Sequence, residues 1–197
     1  MTYELIPALF AFSLATVITP GPNNLMLMAS GANFGFARTL PHMAGIAFGF
    51  PAMVLLVGLG VMQIFDLWPM SYTVLKIASV GYLAYLAWKI ATAAPIQGAD
   101  ARSRPLRFVE AAAFQWVNPK AWSMALTAIT LYAGGRDLSH VGLVALAYVL
   151  TALVSTSSWT LLGQQIRRLL ATPARLRLFN GAMALLLLAT LIPVLMD

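Results

Sequence analysis

Two short stretches carry residue types that could hold a polar solute inside an otherwise apolar chain. They are Thr19-Pro20-Gly21-Pro22-Asn23-Asn24 and Asn118-Pro119-Lys120, about half the chain apart. Each reads as a helix start, with a short polar cap (Thr19, Asn118) ahead of a proline at the first helical position. A helix that begins inside a membrane leaves N–H groups and the positive end of its dipole without water to satisfy them. A small anion is the natural occupant of such a place. Pro20 and Pro22 lack donors, which predicts free carbonyls at Thr16 and Ile18, and Pro119 does the same at Gln115. Gly21 lets the chain turn sharply between the prolines. A carboxylate on the N–H groups near Asn23 and Asn24, with an ammonium on the freed carbonyls, would together hold an amino acid.

Lys120 is the sharpest single feature. The only local stretch long enough to span a bilayer is about Ala111 to Ala133, and Lys120 falls near its centre. A lysine at that depth costs roughly 2.5–3.5 kcal/mol, so it needs a partner. Glu110 is the nearest acid, but ten helical residues place it about 15 Å away. Carbonyls at the breaks, water or a bound carboxylate remain as partners. The alternative is a lysine that snorkels to the cytoplasmic face.

These residues need helices to position them, and the composition supplies them. Of 197 residues 60% are hydrophobic and 9% charged, against roughly 25% charged in soluble domains. Apolar runs occur at about Leu5 to Phe34, Pro41 to Phe65, Tyr72 to Ala94, Ala111 to Ala133, Val141 to Gly163 and Phe179 to Met196. At roughly 20 residues per crossing, about six crossings fit. The first run is one broken helix with a cytoplasmic extension. The expected fold class is an all-α membrane protein of about six transmembrane helices.

Basic residues are sorted by side. Arg38, Lys89, Arg102, Arg104, Arg107, Arg167, Arg168, Arg175 and Arg177 fall in alternate connections, while Glu4, Asp66, Asp137 and Asp197 fall on the other side with Arg136 and Lys76. The positive-inside rule makes the basic connections cytoplasmic and puts both termini outside. Anionic headgroups account for the basic surplus, so no nucleic-acid partner is expected. No cleavable targeting peptide is read at the start, which carries Glu4 and no basic region. Cysteine is absent, which excludes thiol redox chemistry and thiolate metal sites.

Pro20 and Pro119 each lie in the first helix of a three-helix half. Ile18-Thr19-Pro20 against Val117-Asn118-Pro119 is a weak local likeness, whose force comes from position. An odd number of crossings per half requires the second half to be inverted, a recurring transporter layout. The expected organisation is a single transmembrane domain over 1–197, in two inverted three-helix repeats with broken first and fourth helices. The repeat halves run about 1–94 and 106–197, joined by a cytoplasmic linker at about 95–105.

Thr151, Ser155 and Ser158 share one face of the fifth helix by spacing, with Trp159 alongside. They are candidates to line a polar pathway, or they bond carbonyls of their own helix. Gly31-x-x-x-Gly35 and Gly45-x-x-x-Gly49 suggest close helix approach. Trp68, Tyr72, Trp88 and Lys89 read as interfacial anchors. His42, at the cytoplasmic end of the second helix, is a candidate proton relay or an ordinary interfacial histidine. With no acid at midplane depth to balance a cationic side chain, a neutral solute is favoured.

At these residues the chain resembles the LysE/RhtB family of amino-acid exporters. Thr19-Pro20-Gly21-Pro22-Asn23-Asn24, apolar Leu25 to Met28 and Gly35-Phe36-Ala37-Arg38 are similar to its N-terminal signature, and Asn118-Pro119-Lys120-Ala121 to its second motif. Many members carry Asp or Asn after the second helix's Gly-x-x-x-Gly, where this chain has Phe50. Phe50, with Leu86-Ala87-Trp88-Lys89-Ile90-Ala91, looks more like the cysteine/O-acetylserine exporter branch. The resemblance implies a bacterial inner-membrane efflux protein, driven by the proton motive force, that exports amino acids or close derivatives.

The expected partners are therefore a small amino acid and membrane lipid, with no cofactor and no metal. The oligomeric state stays open, a homodimer included. The expected substrate-binding residues are Thr19, Pro20, Gly21, Pro22, Asn23, Asn24, Gln115, Asn118, Pro119 and Lys120. Export of basic amino acids or other small solutes is an alternative, and a passive pore another. An intramembrane enzyme would need a nucleophile–base pair, for which Ser155 or Ser158 with Lys120 is the one conceivable dyad. Metal export would need ligands that two histidines and no cysteine do not supply.

Overall fold

Apolar residues on all sides of long segments, with prolines and glycines as punctuation, build a helical protein whose breaks fall where the prolines stand. The computed structural model describes residues 5–93, 104–133, 137–170 and 172–196, with side chains at 64–66 excepted. Most of the expected linker at 95–105, together with Glu4, Arg102, Arg136 and Asp197, lies outside the described residues, as does the side chain of Asp66. The helices are α1 (Leu5–Ile18), α2 (Pro22–Phe34), α3 (Phe36–Gly58), α4 (Met62–Leu67) and α5 (Met70–Ala91). They continue with α6 (Phe108–Phe114), α7 (Pro119–Ala128), α8 (Leu138–Arg167), α9 (Pro173–Ala189) and α10 (Ile192–Met196).

Among the described residues, four segments are long and apolar enough to cross a membrane: Phe36–Gly58, Met70–Ala91, Leu138–Arg167 and Pro173–Met196. A fifth is the pair α1 and α2, bent by 58° at its break. The run from Ala111 to Ala133 is interrupted more severely than expected, since α6, a 3-10 turn, α7 and a π turn follow one another. Among the described residues, four or five spans are therefore seen by length and apolarity.

The bend between α1 and α2 corrects the expected start of the second helix. It begins at Pro22, not Pro20, and its cap is Gly21 rather than Thr19. Pro22 takes the first helical position, while the Thr19 hydroxyl turns back to the Thr16 carbonyl at 2.9 Å. Gly21 is extended, with φ 177° and ψ 179°, so it does not supply a sharp turn. Its missing side chain supplies space instead, because a Cβ there would lie 2.8 Å from the Lys120 side chain. The second motif follows expectation. Asn118 caps α7, accepting from the Lys120 N–H at 3.2 Å, with Pro119 at the first position.

The 30 residues of α8 reach about 45 Å, longer than the roughly 30 Å hydrocarbon core. This helix packs along α1, α2 and α3, and is the element around which the others gather. Its crossing with α2 is close because Gly163 faces the Met28 carbonyl and Gly31 faces the Thr160 carbonyl. Gly45 and Gly49 let α3 approach α6 in the same way, at Phe108 and Ala112. Gly35 does not join Gly31 in packing. It takes φ +81° between α2 and α3, a conformation that favours glycine.

A small apolar cluster joins Leu25, Met28, Ala29 and Met183, and two larger ones make up most of the core. One of the larger joins Leu9, Phe50, Met53, Val54, Ala121, Ala125, Val144 and Tyr148, from α1, the later part of α3, α7 and the first half of α8. The other joins Met26, Leu27, Met43, Ile46, Leu86, Phe114 and Leu187, from α2, the earlier part of α3, α5, α6 and α9. The broken helices contribute one segment to each, so both breaks fall at the boundary. Leucines such as Leu153, Leu161, Leu178 and Leu185 face outward, as lipid contact requires.

A pair of buried amides ties α2 to α9. Asn33 donates to the Asn180 side-chain oxygen at 2.7 Å and Asn180 returns the bond at 3.1 Å, both residues buried. Replacing Asn33 alone with leucine should destabilise the protein by about 1–2 kcal/mol, because the Asn180 amide loses this partner in an apolar surround. Replacing both with leucine should recover much of that loss. Thermal unfolding in detergent would check it, and additive losses would contradict a paired role.

Candidate functional site

The two motifs meet. The Lys120 ammonium donates to the Thr19 carbonyl and hydroxyl, both at 2.8 Å, and to the Pro20 carbonyl at 3.3 Å. The negative end of α1 thereby faces a fixed cation, as helix polarity favours. Of the partners considered for Lys120, the break carbonyls are the ones that the structure provides.

The carbonyls expected to stand free at the end of α1 are occupied by side chains. Thr16 O accepts from the Thr19 hydroxyl, and Ile18 O from Trp159 Nε1 at 3.0 Å. Val17 O accepts from Asn24 Nδ2 at 2.7 Å and Ser155 Oγ at 2.8 Å, and Asn24 also donates to Thr19 O at 2.8 Å. Gln115 O accepts from the Asn118 N–H at 3.3 Å. Buried backbone groups cannot stay orphaned in an apolar surround, and the polar residues nearest each break have taken them. A substrate ammonium would have to share or displace these bonds.

Asn23 and Gln115 form a second amide pair. Asn23 Nδ2 donates to Gln115 Oε1 at 2.8 Å, and Gln115 Nε2 donates to Asn23 Oδ1 at 3.2 Å and to Ala111 O at 2.8 Å. This pair links the two broken helices directly. The first helical bond of α2 runs from the Leu25 N–H to Gly21 O, so the N–H groups of Asn23 and Asn24 precede the ladder.

A cavity of about 30 Å³ lies among these groups, room for a water or two. Gly21, Asn23, Asn24, Gln115, Asn118 and Lys120 line it. Thr19 and Pro20 act through their bonds to Lys120, while Pro22 is buried at the head of α2 and Pro119 half-buried at the head of α7. The structure brings all ten predicted residues into one neighbourhood.

The pathway residues divide. Ser155 lines the cavity, and Trp159 reaches the α1 break. Thr151 is buried and bonds the Ala147 carbonyl of its own helix. Ser158 is exposed and bonds Val154 O, so it does not share the burial of Ser155. Thr151 and Ser155 are buried and Ser158 is not, although all three share one azimuth, so exposure here follows which helices flank each level of α8. His42 sits six residues into α3. It is buried, with 1% exposure, among neighbouring helices.

Residues that sequence reasoning passed over complete the wall: Ile46 and Phe50 from α3, Met124 from α7, and Ala152 and Thr156 from α8. In the sequence Phe50 stood out as a departure from one motif and a likeness to one branch, not as a wall residue. It stacks edge-on to Tyr148 at 4.8 Å between centroids, and the Tyr148 hydroxyl lies 3.4 Å from that of Thr16. Among the described residues lining the cavity there is no acid.

Charge gathers elsewhere, at the foot of α6. Arg104 holds Glu110 through two bonds, at 2.8 and 2.5 Å, and the Arg107 N–H adds a third at 2.7 Å. The Arg104 hydrogen bonds, working against partial desolvation and helped by the Arg107 N–H, hold the Glu110 carboxyl down to about 2. It is therefore ionised and paired, and cannot serve Lys120.

The chain is similar to known proteins over nearly its whole length. The family model described as LysE type translocator matches residues 14–194. The chain is 30% identical over 190 residues to the cysteine/O-acetylserine efflux protein of Escherichia coli (strain K12), covering 95% of each chain. The protein of that name from Shigella sonnei (strain Ss046) matches to the same extent. That from Escherichia coli O139:H28 (strain E24377A / ETEC) is 30% identical over 191 residues, or 95% of this chain and 96% of the relative. No solved structure matches the chain.

Proposed function

The chain belongs to the LysE type translocator family, and on that premise we propose that it exports a small neutral amino acid or derivative, of the cysteine/O-acetylserine or homoserine/threonine type, using the proton motive force. The observation that carries this reading is the Lys120 ammonium, seated on the broken end of α1 beside a cavity without acids. In this scheme the solute carboxylate takes Lys120 and the first N–H groups of α2 together. The solute ammonium shares carbonyls at the α1 break. Phe50 and Ile46 limit the side chain to a small neutral one.

The cavity is too small for an amino acid as it stands, so loading requires the surrounding helices to part. We assign that motion to two inverted three-helix halves, about 1–94 and 106–197, with the α6–α7 segment as the sixth, broken span. The membrane would be the bacterial inner membrane, with basic connections cytoplasmic and termini outside.

Membership of a translocator family makes the protein a transporter and not an enzyme. The local geometry agrees, since Ser155 bonds Val17 O and Asn24 while Lys120 bonds Thr19 and Pro20. The hydrolytic dyad is not assembled.

Inside-out vesicles carrying the protein should take up O-acetyl-L-serine against its gradient when a proton gradient is imposed. Adding a protonophore should abolish that uptake. Equilibration that stops at equal concentrations, whatever the gradient, would identify a passive pore instead. Arginine or lysine accumulating in place of O-acetylserine would move the assignment to basic amino acids.

A further inference from the structure

A second cavity, of about 330 Å³, opens where α2, α3 and α5 meet the segment Arg104 to Leu106. It shares no lining residue with the central one and is roughly ten times larger. His42 lines it, and among the described residues neither ring nitrogen of His42 has a hydrogen-bond partner. A buried imidazole without a partner is costly, so a polar guest is expected. Nearby, the Thr39 hydroxyl gives its proton to Gly35 O, so the 2.9 Å bond with Ser30 uses the Ser30 proton. The Ser30 oxygen therefore faces this cavity as an acceptor.

Lys89 lines the same cavity, half-buried, and makes no ion pair or hydrogen bond among the described residues. Arg104 also lines it, but its guanidinium is committed to Glu110. Tyr85 and Trp88 add aromatic walls. The uncommitted groups thus include one ammonium, one imidazole and one acceptor oxygen, beside apolar surface. Such a set fits a small carboxylate that carries a second polar group.

We propose that this cavity is a second binding site for the carboxylate of the exported solute, occupied on the basic side of the protein before the solute reaches Lys120. Lys89 supplies the charge, the His42 N–H donates to the same carboxylate or to a neighbouring oxygen, and Ser30 accepts from the solute ammonium. The identity of the solute rests on the export reading above, whereas the site rests on its own residues. A lipid phosphate offers similar anionic chemistry, so the test separates the two sources.

The full chain is reconstituted in phosphatidylcholine nanodiscs, and equilibrium binding of radiolabelled O-acetyl-L-serine is measured on the Lys120→Met variant, which disables the central site. Saturable binding should persist there. It should weaken roughly tenfold when Lys89→Gln or His42→Asn is added, and return with Lys89→Arg, as loss and recovery of a charge-assisted bond predicts. No saturable binding to Lys120→Met, or binding indifferent to Lys89→Gln, overturns the proposal. So does a Lys89 dependence seen only as retention of added phosphatidylglycerol, which would assign the cation to a headgroup. In vesicles, Lys89→Gln should raise the apparent KM at the basic face and leave the maximal rate unchanged. Normal export by Lys120→Met, combined with that KM shift, would sink the central role and leave this second site standing.

Discussion

Replacing Lys120 with methionine should lower export by about a hundredfold or more while the protein still inserts. The ammonium makes three bonds to the α1 break, and in the proposed cycle it exchanges them for the solute carboxylate. Removing one partner of a desolvated charged pair costs about 3 kcal/mol, which corresponds to a factor of roughly one hundred. Methionine keeps the stem that lies across Gly21, so packing should change little. Vesicle uptake, normalised to the amount of protein in the membrane, reads the effect. Uptake within a few-fold of the parent would remove Lys120 from the mechanism.

Replacing Gly163 with valine should damage folding rather than transport chemistry. Any Cβ at 163 is driven into the Met28 carbonyl, and backbone on the facing helix cannot swing away as a side chain can. The α2–α8 crossing would have to widen, pulling the Asn24 and Ser155 bonds away from Val17 O. Overpacking of this kind costs about 3 kcal/mol, equivalent to a fall of roughly 10 °C in Tm for a chain of this size. Gly142, on the same helix with open space around its Cα, is the control. Gly142→Ala should be neutral or mildly stabilising. Equal effects at 163 and 142 would show that helix propensity, not close approach, governs these positions.

The prolines made the breaks legible, because a missing donor is a local property of the chain. Lys120 stood out because it falls near the centre of the only local stretch long enough to span, and the structure leaves it half-buried against the α1 break. The starting residue of α2 was misread by two positions, since either proline satisfies the rule and no local signal separates Pro20 from Pro22. The amide pairs Asn23–Gln115 and Asn33–Asn180 left no local trace, each joining residues far apart in sequence. Faces were harder to read than spans. In a membrane both the lipid side and the core side of a helix are apolar, so the period that marks an inward face in water is weak. That is why Ser158 was grouped with Ser155, and why the burial of His42 among its neighbours could not be read from its place near a helix end.

The boundary between the two larger apolar clusters has a mechanical consequence. On α3, Ile46 belongs to one cluster and Phe50, a single turn later, to the other, and both touch the central cavity. Sliding along that seam would enlarge the chamber without prising apart either packed body. The resistance to be overcome would then be a handful of polar latches, chiefly Asn23 with Gln115 and Lys120 with Thr19, rather than interdigitated hydrocarbon. A guest able to replace those latches one for one could itself act as the lubricant.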